Sequence, residues 1–196
     1  MAINPNVLPQ QLDQLRDRLA EIYGQSTGSA VWASLSEPKR QAYWLNPLRQ
    51  RPASFEPFGE RVAGFDGAYH VDHPDRGSVT RHAGATDGWL YPINPSSLLA
   101  VRALGACEDE EVLDLAAAPG GKTVGIAAAM RNTGRIAAVE VVKGRFHRLR
   151  ANLERCGVTN SDLYLADGRS IGRKVPERFD RVLLDAPCSS EARIRL

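Results

Sequence analysis

The chain has 196 residues, of which 43% are hydrophobic and 24% charged, and its formal net charge at neutral pH is +2. Such values suit a soluble globular protein with one domain and an appendage, or with two small domains. The near balance of charges gives no global sign of a polyanionic partner. No apolar run approaches the roughly 20 residues that would span a bilayer, which argues against a membrane protein.

The N-terminus and the cysteines both favour a cytoplasmic protein. Residues 1–10 have neither the basic start nor the apolar core of a signal peptide. The cysteines, Cys107, Cys156 and Cys188, are far apart and form no Cys-x-x-Cys pair. Their spacing argues against a disulfide framework and a zinc site, and we expect no metal.

The first half of the chain predicts helices followed by irregular structure. Apolar residues spaced three or four apart predict an amphipathic helix over residues 9–24 that ends at Gly24. A second helix is predicted over residues 36–45, with Ser36 as its N-cap. Residues 46–87 are rich in Pro, Gly, Asp and His and predict short strands and turns, with one strand over 68–71.

A change of composition near residue 85 predicts a boundary between an N-terminal domain of residues 1–85 and a second domain of residues 86–196. In the second domain the predicted helices span 95–104, 121–130 and 145–156, and the predicted strands span 111–115, 135–141, 162–166 and 179–184. Strands that alternate with helices indicate an α/β fold with a parallel sheet covered on both faces.

The turn after the first predicted strand carries the strongest local signal. Residues 113–123 read Leu-Asp-Leu-Ala-Ala-Ala-Pro-Gly-Gly-Lys-Thr. Gly120 and Gly121 let the backbone approach a ligand closely. The helix that follows directs its free N–H groups at the turn, which favours polar or anionic groups.

Acidic residues stand at the carboxyl ends of three successive predicted strands, Asp114, Glu140 and Asp167. Ligands of open parallel sheets bind at this edge. An acid after the second strand suits the two hydroxyls of a ribose, and Asp167 is placed to meet an adenine edge. Together with the turn, these acids predict a site for a nucleotide-like cofactor.

A rival interpretation of the same turn is the phosphate-binding P-loop, GxxxxGK[ST]. Residues 116–123 depart from that pattern at the first glycine, which is Ala116. Pro119 also removes an N–H group that would hold phosphate. The P-loop interpretation gives no role to Glu140 or Cys188, so it is the weaker alternative.

A second segment, residues 182–189, reads Val-Leu-Leu-Asp-Ala-Pro-Cys-Ser and places Asp185 and Cys188 after the last predicted strand. Methylation at carbon 5 of cytosine needs a nucleophile at carbon 6, and a thiolate is both a strong nucleophile and a good leaving group. A nearby carboxylate can hold the protonated ring nitrogen or the exocyclic amine. We therefore predict catalytic roles for Cys188 and Asp185.

Basic residues are concentrated between residues 131 and 155, where seven cations stand against Glu140 and Glu154. One interpretation is the solvated face of a helix. The other is part of an electrostatic footprint for a polyanion such as RNA.

These motifs identify a resemblance to a known family. Residues 114–123 and 185–189 closely resemble two signature motifs of the Nol1/Nop2/Sun RNA cytosine-5 methyltransferases, the group that includes RsmB-like enzymes. The segment Asn-Pro-Ser-Ser at 94–97 and the pattern from Glu140 to Gly157 also fit, so the resemblance covers about residues 89–196. Residues 1–85 resemble an N-terminal RNA-binding extension more loosely.

The resemblance implies a Rossmann-like class I methyltransferase sheet with a smaller α+β N-terminal domain, S-adenosyl-L-methionine as cofactor, and an rRNA or tRNA substrate. The residues implied to bind the cofactor are Ala116, Ala117, Ala118, Pro119, Gly120, Gly121, Lys122, Glu140, Arg145, Asp167 and Asp185. We expect about four parallel strands in the order 3-2-1-4, part of a sheet that has seven in this class.

The chain departs from the family pattern in two ways. Ala116 replaces the usual cysteine of the cofactor motif. The family's nucleophile usually lies in a later Thr-Cys motif, whereas the cysteine equivalent to Cys188 is linked to product release, so both roles stay open for Cys188. The sequence ends at Leu196 before such a motif, and we expect a part of a longer protein whose fourth strand is an open apolar edge. The alternative is a fragment that binds RNA or cofactor without catalysis.

Overall fold

The computed structural model describes residues 9–36, 40–72 and 77–186. The chain divides into two compact units, one containing the helices of residues 9–36 and the other formed by residues 40–186. None of the described helices is long and apolar enough to cross a bilayer. No group of three or more His, Cys, Asp or Glu side chains in these ranges is arranged to hold a metal ion.

The first unit is a helix pair, α1 (Pro9–Tyr23) and α2 (Gln25–Ser36). Gly24 joins the helices with a φ of 79°, which confirms the predicted end of the first helix. The helices approach closely at Gly28, where an added Cβ would lie 2.6 Å from the Cα atom of Ala20. Helix α2 was not predicted, because its small and polar residues carry a weak apolar period.

The helix predicted over residues 36–45 is wrong. Ser36 ends α2, and residues 41–45 form the first strand, β1 (Gln41–Leu45). The side chain of Tyr43 is fully buried, and its hydroxyl donates to the carbonyl of Phe58 at 2.8 Å. Aromatic residues favour strands, and pairing on both sides of β1 outweighs the local helical pattern.

An antiparallel sheet is built around β1. It contains β2 (Glu60–Arg61), β3 (Ala68–Val71) and β4 (Leu90–Pro92) in the order β2-β3-β1-β4, with the short helix α3 (Ala83–Asp87) before β4. The strand predicted over residues 68–71 is confirmed. The core of this sheet consists of Tyr43, Val71, Val79, Ala85, Trp89 and Leu90.

The parallel sheet follows in the alternating order that the sequence predicts. Its elements are α4 (Pro95–Leu104), β5 (Glu111–Asp114), α5 (Gly121–Ala129), β6 (Arg135–Glu140), α6 (Lys143–Cys156), β7 (Ser161–Leu165), α7 (Ile171–Lys174) and β8 (Arg181–Leu183). The strand order β7-β6-β5-β8 confirms the predicted 3-2-1-4 arrangement. Within the described ranges β8 pairs only with β5, and Val182 and Leu184 beside its edge are half or more exposed.

Helix α6 joins the two sheets of residues 40–186. The buried side-chain amide of Asn46 donates to the carbonyls of Gly88 at 2.8 Å and Cys156 at 2.9 Å. Arg49 donates to the carbonyls of Glu154 and Arg155 at the C-terminal end of α6. The antiparallel sheet is therefore fixed to the last turn of α6. The domain boundary near residue 85 falls inside this unit and stays a prediction.

Candidate active site

Three carboxylates lie at one edge of the parallel sheet. Asp114 ends β5, Glu140 ends β6, and Asp185 lies two residues after β8. Because these strands are parallel and adjacent in the order β6-β5-β8, their carboxyl ends meet at the same edge. The turn of residues 115–120 leaves β5 at this edge and leads into α5.

The turn packs tightly against its neighbours. Gly120 has a φ of 111°, and an added Cβ there would lie 3.2 Å from Leu149 and 3.3 Å from Leu153 of α6. A Cβ on Gly121 would lie 3.1 Å from the ring of Tyr91. Gly120 is therefore favoured by its left-handed conformation, and at both glycines a side chain would fit only if its neighbours moved by a few tenths of an ångström.

Helix α6 holds the turn through its backbone carbonyls. Arg145 donates from Nη2 to the carbonyl of Ala118 at 2.7 Å, and Asn152 donates from Nδ2 to the carbonyl of Pro119 at 2.8 Å. Residues seven apart lie on the same helical face, so both reach the turn. Asn152 had received no role from its sequence position. The direct contact of Arg145 with a cofactor stays a prediction, since the structure shows it positioning the turn.

Glu140 is the carboxylate best placed to accept a ligand. Its side chain is only 2% exposed, and Oε1 accepts from the backbone N–H of Val142 at 2.9 Å. Oε2 is buried and has no hydrogen-bond partner among the residues that the structure describes, and it lies 3.5 Å from Nη1 of Arg145, beyond good hydrogen-bonding geometry. A buried oxygen without a donor is costly, and a ribose hydroxyl would supply one. The residues therefore fit the ribose of a nucleotide-like cofactor.

The carboxylate of Asp114 makes a structural hydrogen bond within the chain and does not present a free acceptor for a ligand. It is 1% exposed and accepts a hydrogen bond from Oγ1 of Thr123 at 2.8 Å, which ties β5 to α5. The pKa of Asp114 is raised from 3.8 to about 6, mainly by burial and to a small extent by the charge of Asp185, while hydrogen bonds from Thr123 and the N–H of Ala116 and the charge of Lys122 partly oppose the rise.

Lys122 bridges the turn to the end of β8. Its Nζ lies 2.5 Å from Oδ2 of Asp185, and the lysine is 23% exposed against 56% for the aspartate. The ion pair brings the two predicted segments, 116–123 and 185–189, into direct contact at Asp185. Cys188 lies outside the described residues.

Asp167 follows β7 and caps the short 3₁₀ helix Gly168–Ser170. Hydrogen bonds from the side chain and backbone of Arg169 lower the pKa of Asp167 to about 2. Its carboxylate is accessible but already occupied by Arg169 at 2.6 Å. A contact between Asp167 and an adenine therefore requires rearrangement of this exposed pair and stays a prediction.

The family relationship follows from the sequence. Residues 101–195 match the model of the family described as 16S rRNA methyltransferase RsmB/F. This part of the chain belongs to the RsmB/F methyltransferase family. The matched range contains the turn, Glu140, Asp185 and Cys188.

Curated relatives share much of this RsmB/F-family chain. It is 39% identical over 178 residues to the ribosomal RNA small subunit methyltransferase F of Aeromonas hydrophila, which covers 83% of this chain and 37% of the relative. It is 51% identical over 110 residues to the enzyme of the same name from Vibrio vulnificus, covering 55% of this chain and 23% of the relative. The chain spans little more than a third of the length of the first relative.

Solved structures show the same fold. A methyltransferase homolog protein from Pyrococcus horikoshii matches with a TM-score of 0.76 and 30% identity, over 93% of this chain and 64% of that chain. NSun6 from Pyrococcus horikoshii with SFG also gives a TM-score of 0.76, at 19% identity, over 90% of this chain and 70% of that chain. The fold is that of Rossmann-like methyltransferases, whose cofactor is S-adenosylmethionine, and the P-loop interpretation is wrong.

The buried carboxyl of Asp114 predicts a pH dependence of stability. Its pKa of about 6 exceeds the ordinary 3.8, so the stability it contributes is fully present below about pH 4 and is lost as the pH rises through 6. The loss amounts to roughly 3 kcal/mol. We expect the Asp114→Asn variant to gain stability relative to the wild type between pH 4 and 6, with a constant difference above, measured by urea unfolding.

Glu110 is a control of opposite sign. A side-chain hydrogen bond from Arg181 lowers the pKa of Glu110, so the Glu110→Gln variant should lose stability relative to the wild type as the pH rises through the titration of that group. A stability difference for Asp114→Asn that does not change with pH would contradict a buried, titrating Asp114.

Proposed function

We propose that this chain takes part in S-adenosylmethionine-dependent methylation of carbon 5 of cytosine in RNA, with small-subunit rRNA as the RNA and the cytoplasm as the location. The observation that carries the proposal is the Lys122–Asp185 ion pair, which joins the cofactor turn to the Asp-Ala-Pro-Cys segment. The family model and the relatives named for small-subunit rRNA support the RNA class.

The cofactor supplies an electrophilic methyl group when bound. In the proposed arrangement, Oε2 of Glu140 accepts hydrogen bonds from the ribose, and residues 116–122 face the remaining part of the cofactor. Arg145 and Asn152 keep the turn in place by binding the carbonyls of Ala118 and Pro119. These contacts let the turn approach a ligand without losing its shape.

On the cytosine side, the proposed steps use Asp185 and a cysteine thiolate. The thiolate adds to carbon 6 while the ring nitrogen takes up a proton from solvent, and Asp185 accepts a hydrogen bond from the protonated nitrogen. A bound cofactor would supply the methyl group to carbon 5 and would keep the sulfur from which that group separates. A base then removes the proton from carbon 5, the ring nitrogen gives up its proton, and the thiolate leaves as the ring double bond re-forms. Lys122 orients the carboxylate of Asp185 through the 2.5 Å ion pair.

Of the three cysteines, Cys188 alone follows β8 in the sequence. Cys107 lies before β5, at the opposite edge, and Cys156 is fully buried with a pKa raised by that burial. A raised pKa leaves little thiolate at neutral pH. We therefore assign the covalent step in this chain to Cys188, with product release as its alternative role.

Cofactor binding is tested by calorimetric titration of this chain with S-adenosylmethionine and, in parallel, with Mg-ATP. We expect heat with the first ligand only. Methyl transfer is then measured by mass spectrometry of 5-methylcytidine in small-subunit rRNA incubated with the chain. Cofactor binding without formation of 5-methylcytidine would favour the alternative, a segment that binds cofactor and RNA without catalysis. That alternative is considered because the chain covers only 37% of the length of its relative.

The role of Cys188 is tested by covalent trapping on RNA that contains 5-fluorocytidine, because fluorine cannot leave carbon 5 as a proton does. We expect a denaturation-resistant adduct with the wild type, loss of that adduct in Cys188→Ser, and an unchanged adduct in the control Cys107→Ser. An adduct that persists in Cys188→Ser, or accumulates there on unmodified RNA, would assign Cys188 to product release.

A further inference from the structure

A cleft of about 520 Å³ opens beside the antiparallel sheet, away from the turn. Its walls come mainly from the segment of residues 45–53 after β1, with Phe55, Gly67 and Trp89 completing it. The volume lies within the range of about 300–1,000 Å³ that is usual for sites that hold a small ligand. The residues of the cleft have no part in the proposed chemistry at the sheet edge.

The charge of the cleft is positive. Arg49 and Arg51 line it, and its lining contains no carboxylate. Arg49 is anchored, since Nε and Nη2 donate to the carbonyls of Arg155 and Glu154 at 2.9 and 2.7 Å. Arg51 is exposed and forms no hydrogen bond or ion pair with the residues that the structure describes. One fixed and one free guanidinium in a cleft without acids favour an anionic ligand.

Aromatic rings form one wall of the cleft. Phe55 is partly exposed, and its ring meets the buried Trp89 edge-on with centroids 4.6 Å apart. His82 and Phe58 pack behind Phe55, at 5.7 and 6.2 Å between centroids. The ring is thus held in a fixed orientation, as a surface for stacking requires. Cations beside a fixed aromatic ring are the usual means of binding an unpaired nucleotide.

Helix α6 connects the cleft to the cofactor edge. Arg49 contacts its last turn, while Glu140 and Arg145 mark its beginning. The exposed side chains between these ends include Lys143, His147, Arg148 and Arg150, with Glu154 as the acid among them. The 14 residues of α6 span roughly 20 Å, a distance that a few nucleotides of single-stranded RNA cross. The exposed face of α6 thus offers a mostly basic path from the cleft towards the site.

We propose that this cleft binds an unpaired nucleotide of the RNA substrate, with its phosphate at Arg51 and its base against Phe55. The proposal rests on the proposed function for its class of partner. It adds a second RNA contact about one helix length from the cytosine to be methylated. This contact would select RNA in which an unpaired nucleotide lies at that distance from the target.

The test is binding of a fluorescein-labelled single-stranded RNA by anisotropy at several salt concentrations, with the Arg51→Ala variant. Its matched control is Arg61→Ala, an exposed arginine of β2 that does not line the cleft. We expect Arg51→Ala to weaken binding roughly five- to tenfold and to lower the salt slope by about 0.7, as for one lost phosphate contact. Arg61→Ala should bind like the wild type, and both variants should bind S-adenosylmethionine normally.

A second measurement locates the base directly. RNA that carries 5-iodouridine should photo-crosslink to the peptide of residues 45–55, and excess unlabelled RNA should abolish the crosslink. Equal RNA binding by Arg51→Ala and Arg61→Ala, or crosslinks only outside residues 45–55, would overturn the cleft assignment while leaving the proposed function intact. No RNA binding by the wild type, despite binding of S-adenosylmethionine, would overturn both this contact and the RNA substrate.

Discussion

The Glu140→Gln variant is expected to bind S-adenosylmethionine roughly 10- to 100-fold more weakly than the wild type. The buried Oε2 accepts no hydrogen bond from the residues that the structure describes, and Arg145 approaches it only to 3.5 Å, so it is the acceptor available to the ribose. Charge-assisted hydrogen bonds contribute about 1.5–3 kcal/mol each, and an amide in place of the carboxylate presents a donor to one hydroxyl. Isothermal calorimetry gives the dissociation constants directly.

The control for this variant is Glu154→Gln, in helix α6 that follows Glu140 and β6 in the chain. Glu154 is exposed, and its carboxylate makes no ion pair or hydrogen bond with the part of the chain that the structure describes. Both variants lose one negative charge, so a general effect of charge would weaken S-adenosylmethionine binding equally in the two. Equal affinities of the two variants for S-adenosylmethionine would show that Glu140 does not bind the cofactor. A matching fall in melting temperature for Glu140→Gln alone would point to a structural role.

The Gly88→Ala variant is expected to lose about 2–5 kcal/mol of unfolding free energy. Gly88 follows α3 with a φ of 84°, and an added Cβ would lie 2.2 Å from the carbonyl oxygen of Arg155. The left-handed conformation alone costs a side chain about 1–2 kcal/mol. Moving Gly88 would also break its hydrogen bond with the buried Asn46, which costs a further 1–3 kcal/mol. Urea unfolding followed by circular dichroism measures the difference.

Gly144→Ala is the matched control for this substitution. Gly144 lies in the first turn of α6, where an added Cβ would meet nothing within 4 Å. Alanine favours a helix over glycine by up to about 1 kcal/mol, so this variant should be as stable as the wild type or slightly more stable. If the unfolding free energy of Gly88→Ala lay within 1 kcal/mol of the wild-type value, the junction between the antiparallel sheet and α6 would accommodate an added Cβ by a small backbone movement.

The parallel sheet could be predicted because its signals are local. Strands β5 and β6 are short, largely apolar runs that end at Asp114 and Glu140, and glycines such as Gly157 mark helix ends where the structure has a φ of 77°. The turn after β5 was recognised from its glycines, and the order of the strands followed from the family resemblance. These local signals are sufficient to predict the sheet because regular helices connect β5 to β8.

Strand β1 could not be predicted because the contacts that determine its conformation are not local. The conformation of β1 depends on pairing with β3 and β4, of which β3 lies more than 20 residues later and β4 more than 40. The roles of Arg145 and Asn152 depend on where α6 lies against the turn, which no sequence spacing reveals. The cleft was also missed, because residues 46–55 have no period and are held by partners about 100 residues away.

The hydrogen bond between Asn46 and Cys156 joins residues that are 110 positions apart in the chain. A ribosome that adds 5–20 residues per second therefore takes roughly 5–20 s to supply the acceptor after Asn46 has been made. During this interval β1 and its neighbours can pair, but they cannot complete the contact with the last turn of α6. The surface of the nascent antiparallel sheet that contacts α6 in the folded chain thus stays exposed until α6 has been synthesised. During this interval that surface is accessible to chaperones.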